Sequence, residues 1–244
     1  MLRAPAMSVH RFETTGLGGY GAEERLGATR QAVVRVAQSM SRLGLVVSVW
    51  GNVSARVKGT DLVVITPSGV EYESLSEGLL PVVDLQTGQR VQGRLKPSSE
   101  TPTHLTVYKA RPDVFGIVHT HSLQASAFAV LREPIPALLE DIAQVAGGRV
   151  ECAEYGPPGT AELGAKVVAA LGPRHAALMA THGLRGVGPT VDEALRVCQV
   201  VEKGAHVYAV ARSLGRPVLL SEQEIARLRQ AYETSYGQQG PARE

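Results

Sequence analysis

Three of the seven histidines in this chain are spaced so that they could bind one metal ion. His119 and His121 form an H-x-H pair at the end of the apolar segment GIVHTHS, and His182 lies in a second apolar segment, ALMATHGL. Side chains two residues apart on a strand share a face, so the pair can converge while a neighbouring strand supplies the third imidazole. Three neutral imidazoles with an open position are typical of a catalytic metal site. Separate hydrogen bonding of each histidine is the alternative, but paired imidazoles are costly to bury unless something orders them.

Upstream of this pair, residues 96–104 read KPSSETPTH and predict the start of a helix. Ser98 and Ser99, followed by an acidic residue and a proline, are typical of a helix start with free backbone N–H groups at the positive end of the dipole. Such an end can bind a phosphate group. Ordinary capping by Ser99 or Thr101 would account for the same residues without any ligand.

One carboxylate and two turns could complete such a site. Glu100 could be a fourth metal ligand while the site is empty and a general base once substrate displaces it. It could equally be a surface glutamate that the helix dipole favours. The turns GNVS at 51–54 and TPSG at 66–69 carry hydroxyls and amides that could bind an anion, although each alone is more often only a turn.

The elements that must position these residues alternate between two periodicities. A helical pattern over 23–43 ends at Gly44, and short period-two segments follow it, with a hairpin at QTGQ. Their short connections predict antiparallel pairing. The segments predicted to be strands are VVSVW, NVSARV, DLVVITP, GVEYESL, PVVDL, RVQGRL, VFGIVHTH, VECAEY and one long HAALMATHGLRGVG; the later helices are TPTHLTVYKARP, LQASAFAVLREP, a short EDIAQVAGG, AELGAKVVAAL, VDEALRVCQVVEKGAHVYAVARSL and SEQEIARLRQAYETS. The pattern predicts one α/β domain over 21–237, with a mobile arm over 1–20 and a flexible tail over 238–244.

Composition excludes several classes of protein. The formal charge of +2 and the scattered basic residues argue against nucleic-acid binding but leave room for a small anionic substrate. Cys152 and Cys198 lie far apart, which predicts reduced thiols and a cytoplasmic location rather than a disulfide framework. No segment predicts a signal peptide or a membrane helix. The start of the chain is open between Met1 and Met7.

Several motifs in one order make the chain resemble a known family. They are GNVSAR at 51–56, ITPSG at 65–69, KPSSETPTH at 96–104, HTHS at 119–122 and THGL at 181–184. Together they resemble the class II aldolase and sugar-phosphate 4-epimerase family over roughly residues 23–237. The resemblance implies a three-layer α/β/α fold with a central mixed, mostly antiparallel sheet. It also implies a homotetramer with active sites between subunits.

The resemblance also implies a reaction and its residues. Aldolases of this family cleave a phosphorylated ketose into dihydroxyacetone phosphate and an aldehyde, with the enediolate held by a divalent ion. Zinc is implied first, and manganese or cobalt could replace it. By position, the implied metal ligands are His119, His121 and His182, and the implied acid/base is Glu100. The family binds phosphate where this chain has Asn52, Ser68, Gly69, Ser98 and Ser99.

The chain departs from the family on the aldehyde side. Tyr236 matches a catalytic tyrosine of the family's C-terminal tail, with Tyr232 as a second choice. A further family tyrosine is missing, and Glu140 and Asp141 stand in its place. The group that handles the aldehyde proton is therefore open among Glu140, Asp141 and Tyr236.

Three other functions remain open at this point, two of them enzymatic and one not. The 4-epimerases of the family share most of these motifs, but they typically have aspartate at the position of Glu100 and a longer insertion after Cys152. A dehydratase of methylthioribulose phosphate uses a similar site. Adducin-type head domains resemble the same fold as binding modules without catalysis, but they lack the complete ligand set.

Overall fold

A computed structural model describes residues 18–236 of the protein. The first helix begins at Gly18, so the last three residues of the predicted arm belong to that helix. The remainder of the arm and the predicted tail lie outside the described residues. Within residues 18–236, no helix is long and apolar enough to cross a membrane.

A mixed sheet of eight strands forms the centre of the fold. Its spatial order is β4-β3-β2-β1-β5-β8-β7-β6, and every neighbouring pair is antiparallel except β6 with β7. The predicted hairpin at QTGQ is confirmed as the connection between β3 and β4. The strands are β1 Asn52–Arg56, β2 Leu62–Ile65, β3 Val82–Asp84, β4 Arg90–Gln92, β5 Gly116–Thr120, β6 Glu151–Ala153, β7 Ala176–Met179 and β8 Gly183–Gly188.

Helices cover both faces of this sheet and give three layers. One face packs against α1, α3 and α5, and the other packs against α2 and α4. Alternate residues of a strand enter opposite cores: Val64 faces the first layer, whereas Val63 and Ile65 face the second. The helices are α1 Gly18–Arg42, α2 Thr101–Ala110, α3 Leu123–Leu131, α4 Ala161–Leu171, α5 Val191–Leu214 and α6 Glu222–Ser235. The predicted three-layer α/β/α architecture is confirmed.

Two segments predicted as strands are not strands. The segment VVSVW lies in turns, because Gly44, Ser48 and Gly51 all have positive φ and interrupt any extended run. In GVEYESL, Tyr72–Ser74 form a short 3₁₀ turn, and the Tyr72 hydroxyl donates to the Gly51 carbonyl. The short helix predicted at EDIAQVAGG is a π-helical turn over Ile142–Ala146.

The long strand predicted over HAALMATHGLRGVG is two strands joined by a tight turn. Strands β7 and β8 pair antiparallel, with Met179 opposite Gly183. Thr181, at the centre of the turn, has φ of 56°, a left-handed conformation that no glycine or asparagine signals in the sequence. The sequence predicts that His182 lies on a strand, but in the structure it lies in the turn.

Candidate metal centre

Strand β5 brings the first two histidines together in the middle of the sheet. It lies between β1 and β8, and it is buried along its whole length. His119 is on this strand and His121 follows its last residue. Their Nε2 atoms are 3.0 Å apart, so the two imidazoles converge as the H-x-H spacing predicts.

The turn between β7 and β8 supplies the third imidazole. The backbone N–H of His182 donates to the Met179 carbonyl, and the N–H of Thr181 donates to the Ala129 carbonyl at the end of α3. Gly183 allows the turn to approach β5, because a Cβ there would lie 2.4 Å from the Thr120 carbonyl oxygen. This glycine is therefore required by the close approach that carries His182 to the other two rings.

Glu100 joins the three histidines from the start of α2. It is the N-cap residue of that helix and is buried. Its Oε1 is 3.2 Å from Nε2 of His119 and 3.2 Å from Nε2 of His182. One ligand atom from each of the four side chains lies within 4.8 Å of the other three.

The four groups suit a divalent ion. Ligands arranged tetrahedrally at about 2.0–2.1 Å from zinc are about 3.3 Å from one another, close to the shorter separations in this cluster. The Nδ1 of His119 donates to the Leu184 carbonyl at 3.0 Å, which leaves its Nε2 as a lone pair directed into the cluster. Lone pairs from imidazole and carboxylate repel one another unless a cation lies between them, so the donor set fits a metal.

Burial favours the neutral form of His119 and His121. It is the main cause that lowers the pKa of His119, and it lowers the pKa of His121 to about 3. Burial alone would raise the pKa of Glu100, but contacts with His119 and His182 and the charge of Arg185 hold it well below its usual range. Arg185 is the permanent positive charge in contact with this carboxylate. Its Nη2 donates to Oε2 of Glu100 at 2.6 Å.

The residues that the sequence assigns to phosphate lie along one rim beside Glu100. The loops at 66–69 and 96–99 are held side by side, since the N–H of Ser68 donates to the Lys96 carbonyl and the N–H of Ser98 donates to the Thr66 carbonyl. Asn52 pairs with His119 across β1 and β5. Helix α2 has no side-chain hydrogen bond at its N-cap. The rim thus brings together Asn52, Ser68, Gly69, Ser98 and Ser99, while a phosphate ligand remains a prediction.

A chain of buried hydrogen bonds orients Asn52. His104 Nε2 is 2.5 Å from Asn52 Oδ1, His104 Nδ1 is 2.7 Å from Ser54 Oγ, and Ser54 Oγ is 2.8 Å from the Tyr108 hydroxyl. Within the described part of the chain, Ser54 is the only acceptor for the Tyr108 O–H. The donors therefore run from Tyr108 through Ser54 and His104 to Asn52 Oδ1, and the Asn52 amide nitrogen is left to donate elsewhere.

The residues considered for the aldehyde side lie at the other end of the strands. Strand β8 runs from Gly183 beside His182 to Gly188, about 17 Å away at 3.4 Å per residue. There a cavity of about 1140 Å³ is lined by Asp141, Gly188, Tyr232 and Tyr236 among others. Tyr236 is 69% exposed, and Asp141 pairs with Lys203. None of Glu140, Asp141 and Tyr236 is brought to the metal-cluster histidines, His119, His121 and His182, of its own chain.

Sequence reasoning missed three kinds of residue around the cluster. Arg185 stands in an apolar strand, where alternation alone could not distinguish a buried partner of Glu100 from a solvent-facing arginine. The sequence shows His104 only as the last residue of the segment at 96–104, and predicts no role for it. Trp50, 66% exposed with its ring centroid 6.2 Å from that of His121, lies in a segment that was predicted to be a strand.

Comparisons with known proteins agree with this geometry. Residues 31–209 match the family described as Class II Aldolase and Adducin N-terminal domain. The chain is 37% identical to an L-fuculose phosphate aldolase of Escherichia coli over 215 residues, which cover 88% of this chain and 97% of the relative. It is 36% identical to a 5-deoxy-D-ribulose 1-phosphate aldolase of Bacillus thuringiensis serovar kurstaki over 210 residues, covering 86% and 97%. A solved structure of an L-fuculose 1-phosphate aldolase superposes with a TM-score of 0.81 at 33% identity, covering 84% of this chain and 96% of the other. The chain belongs to the class II aldolase and adducin N-terminal domain family.

Proposed function

We propose that this protein is a divalent-metal-dependent aldolase that cleaves a ketose 1-phosphate, of the L-fuculose 1-phosphate type, into dihydroxyacetone phosphate and an aldehyde. The observation that carries the proposal is the convergence of Glu100 with His119, His121 and His182 beside a rim suited to phosphate. We propose these four as the metal-binding and acid/base groups. One zinc ion per subunit suits three imidazoles and a carboxylate, and manganese or cobalt could replace it.

The protein's own groups divide the remaining work of the reaction. A bound divalent ion would polarise the ketose carbonyl and stabilise the negative charge that forms when the C3–C4 bond breaks. Glu100, ionised while substrate is absent, would take up a proton from solvent at Oε1 after substrate displaces it, and would then deliver that proton to C3 while Arg185 keeps hold of Oε2. The C4 hydroxyl loses its proton as the aldehyde forms, so a second group must accept that proton and return it to solvent, which balances the proton that Glu100 took up.

The phosphate of the substrate would bind along the rim of serines. A dianion there would meet the hydroxyls of Ser68 and Ser99, the amide of Asn52 and the N-terminal end of α2. Gly69, with φ of 71°, gives its loop the left-handed turn that follows Ser68. Ser98 Oγ already accepts from the N–H of Glu100, so it also links this rim to the acid/base residue.

We infer that a neighbouring subunit supplies the group on the aldehyde side. Tyr236 and Asp141 lie at the opposite end of β8 from the four-residue cluster of their own chain, so they could complete only the site of another copy. The exposed apolar side chains of Trp50 and Leu123, near the histidines, are suited to contact with such a copy. A homotetramer with active sites between subunits is therefore the assembly that we propose.

The relatives differ at the end of the sugar that becomes the aldehyde. Their names share a ketose phosphate but specify either L-fuculose or a 5-deoxy-D-ribulose. The substitution of a family tyrosine by Glu140 and Asp141 falls on that side, which makes a 5-deoxypentulose 1-phosphate the second candidate substrate. Both cysteines are free thiols, which supports a cytoplasmic enzyme.

Two measurements test the proposed reaction. Metal analysis of the purified protein should find a stoichiometric, chelator-removable divalent ion. A coupled assay for dihydroxyacetone phosphate, run over a panel of ketose 1-phosphates and pentulose 5-phosphates, should detect release from a 1-phosphate. Interconversion of 4-epimers without release would establish an epimerase instead, and a folded protein that binds no metal would favour a binding module.

Mixing inactive subunits tests the shared site. Glu100→Gln and Tyr236→Phe subunits, dissociated and reassembled together, should recover more activity than the two separate preparations combined, because some sites regain both groups. The matched control mixes Glu100→Gln with His121→Ala, whose changes fall in one subunit's cluster and should not complement. If both mixtures recover the same activity, or if neither recovers any, a site between subunits is contradicted.

A further inference from the structure

Arg185 is a fully buried arginine in the middle of the sheet. On β8 it pairs with His119 of β5 and Ala177 of β7, and its exposed fraction is 0%. Its neighbours two residues away on the same face are Gly183 and Val187, and Val187 belongs to an apolar core. A guanidinium in such surroundings is costly to bury, so a compensating interaction must hold it there.

That interaction is with a single carboxylate. Nη2 of Arg185 donates to Oε2 of Glu100, while its Nε and Nη1 have no hydrogen-bond partner among residues 18–236. Arg111 shows what a structural arginine looks like in this fold, since it bonds Asp113 and also the carbonyls of Gly172 and Arg174. Arg185 makes no such set of contacts, and Glu100 is its one hydrogen-bond partner among residues 18–236.

The arginine divides the two oxygens of Glu100 between two tasks. The backbone of Glu100 is fixed, because its N–H donates to Ser98 Oγ and its carbonyl accepts from the N–H of His104. The side-chain torsions of Glu100 remain free, and the terminal carboxylate torsion is the softest of them. With Oε2 bound to Arg185, only Oε1 lies at 3.2 Å from the imidazoles of His119 and His182.

We propose that Arg185 is a positioning residue that withholds one oxygen of Glu100 from the metal ion, so that the carboxylate remains a single-oxygen ligand that substrate can displace. Without it, both oxygens are free to bind the ion, and a positive charge next to the site is lost. Both changes favour a tighter hold on the cation. The inference rests on the proposed aldolase function, in which Glu100 must leave the ion to move a proton.

Opposite effects on metal affinity and turnover distinguish this role from a structural one. In Arg185→Met, the affinity for Zn²⁺, measured against a competing chelator, should rise at least tenfold. The kcat for the ketose 1-phosphate that the wild type cleaves should fall at least tenfold, with KM within about threefold of the wild-type value. In Arg185→Lys, the Zn²⁺ affinity and the kcat should both lie between the values of Arg185→Met and the wild type, because an ammonium can still hold Oε2. Arg149→Met, which removes an arginine from a surface pair with Glu151, is the matched control and should change neither value.

A second background shows whether the effect passes through Glu100. When Arg185→Met is added to Glu100→Gln, it should raise the Zn²⁺ affinity by a clearly smaller factor than it does in the wild-type protein. An equal factor in both backgrounds would overturn the proposal, and so would weaker Zn²⁺ binding in Arg185→Met. If Arg185→Met does not fold, two other comparisons of Zn²⁺ affinity decide the same question. Arg185→Lys is compared with the wild type, and the double variant Glu100→Gln/Arg185→Met, which removes both charges, is compared with Glu100→Gln. A wild type that cleaves no ketose 1-phosphate would refute the aldolase function, while the Zn²⁺ measurements would still decide the role of Arg185.

Discussion

The buried hydrogen-bond chain behind Asn52 predicts that two destabilising substitutions will partly cancel. Ser54 Oγ accepts from the Tyr108 hydroxyl at 2.8 Å and donates to Nδ1 of His104 at 2.7 Å. All three side chains are essentially inaccessible to solvent. Burial lowers the pKa of His104 and raises the pKa of Tyr108 well above its usual value, so both side chains stay neutral and pair only through hydrogen bonds.

Each substitution removes a different number of partners. Tyr108→Phe deletes one hydroxyl and leaves Ser54 bonded to His104, so it should cost about 1 kcal/mol. Ser54→Ala leaves both the Tyr108 O–H and the His104 Nδ1 unsatisfied, at about 1–3 kcal/mol each, or roughly 2–6 kcal/mol in total. In the double variant only His104 remains unsatisfied. Adding Tyr108→Phe to Ser54→Ala should therefore be neutral or stabilising, although it is destabilising alone.

Urea denaturation of the metal-loaded protein at one fixed protein concentration measures these differences. The expected order of unfolding free energy is wild type, then Tyr108→Phe, then the double variant equal to or above Ser54→Ala. A double variant less stable than Ser54→Ala by the full Tyr108→Phe cost would show that the two hydroxyls do not interact, and the inferred orientation of Asn52 would lose its basis.

Three other predictions follow from the cluster and its surroundings. Glu100→Gln should keep near-normal metal content by elemental analysis but lose nearly all turnover, and the unpaired Arg185 should cost about 3–5 kcal/mol of stability by calorimetry; intact turnover would refute the acid/base role. His121→Ala should lose the ion itself, and a stoichiometric ion in that variant would remove His121 from the ligand set. Burial and the charge of Arg229 lower the pKa of His175 to about 4. The unfolded chain therefore binds more protons below about pH 6.5, so stability should fall as the pH drops from about 6.5 to 4, by about 1.4 kcal/mol per unit for this group. A His175→Gln variant that kept the whole slope of the urea midpoint against pH would contradict this.

The strands and helices with a regular period could be predicted from the sequence, whereas the turns could not. The consecutive apolar residues Val63, Val64 and Ile65 predict a strand covered on both faces, and the structure confirms it. Ser48 and Thr181, by contrast, adopt positive φ without the glycine or asparagine that usually marks such turns. A tertiary contact, the hydrogen bond from the N–H of Thr181 to the Ala129 carbonyl, holds the second of these turns, and no local pattern in the sequence predicts it.

The same division holds for the site. The convergence of His119 and His121 follows from a spacing of two on a strand, and the structure confirms that they meet. The turn that carries His182 and the buried charge of Arg185 depend on how β8 lies against β5, which no spacing within either segment specifies. The sequence predicts turns at 66–69 and 96–99 separately. An antiparallel β-bridge between Pro67 and Pro97 joins them into one surface, and neither segment predicts that pairing by itself.

The turn between β7 and β8 also gives the ion a mechanical role. The four groups of the cluster come from the start of α2, the end of β5 and this turn, three segments far apart along the chain. An ion bound by all of them would act as a cross-link that closes long loops and restricts the unfolded chain, much as a disulfide does in an oxidising compartment. Depletion of metal should then expose these segments to proteases before the outer strands β3 and β4, so that metal supply would govern the lifetime of the protein as well as its activity.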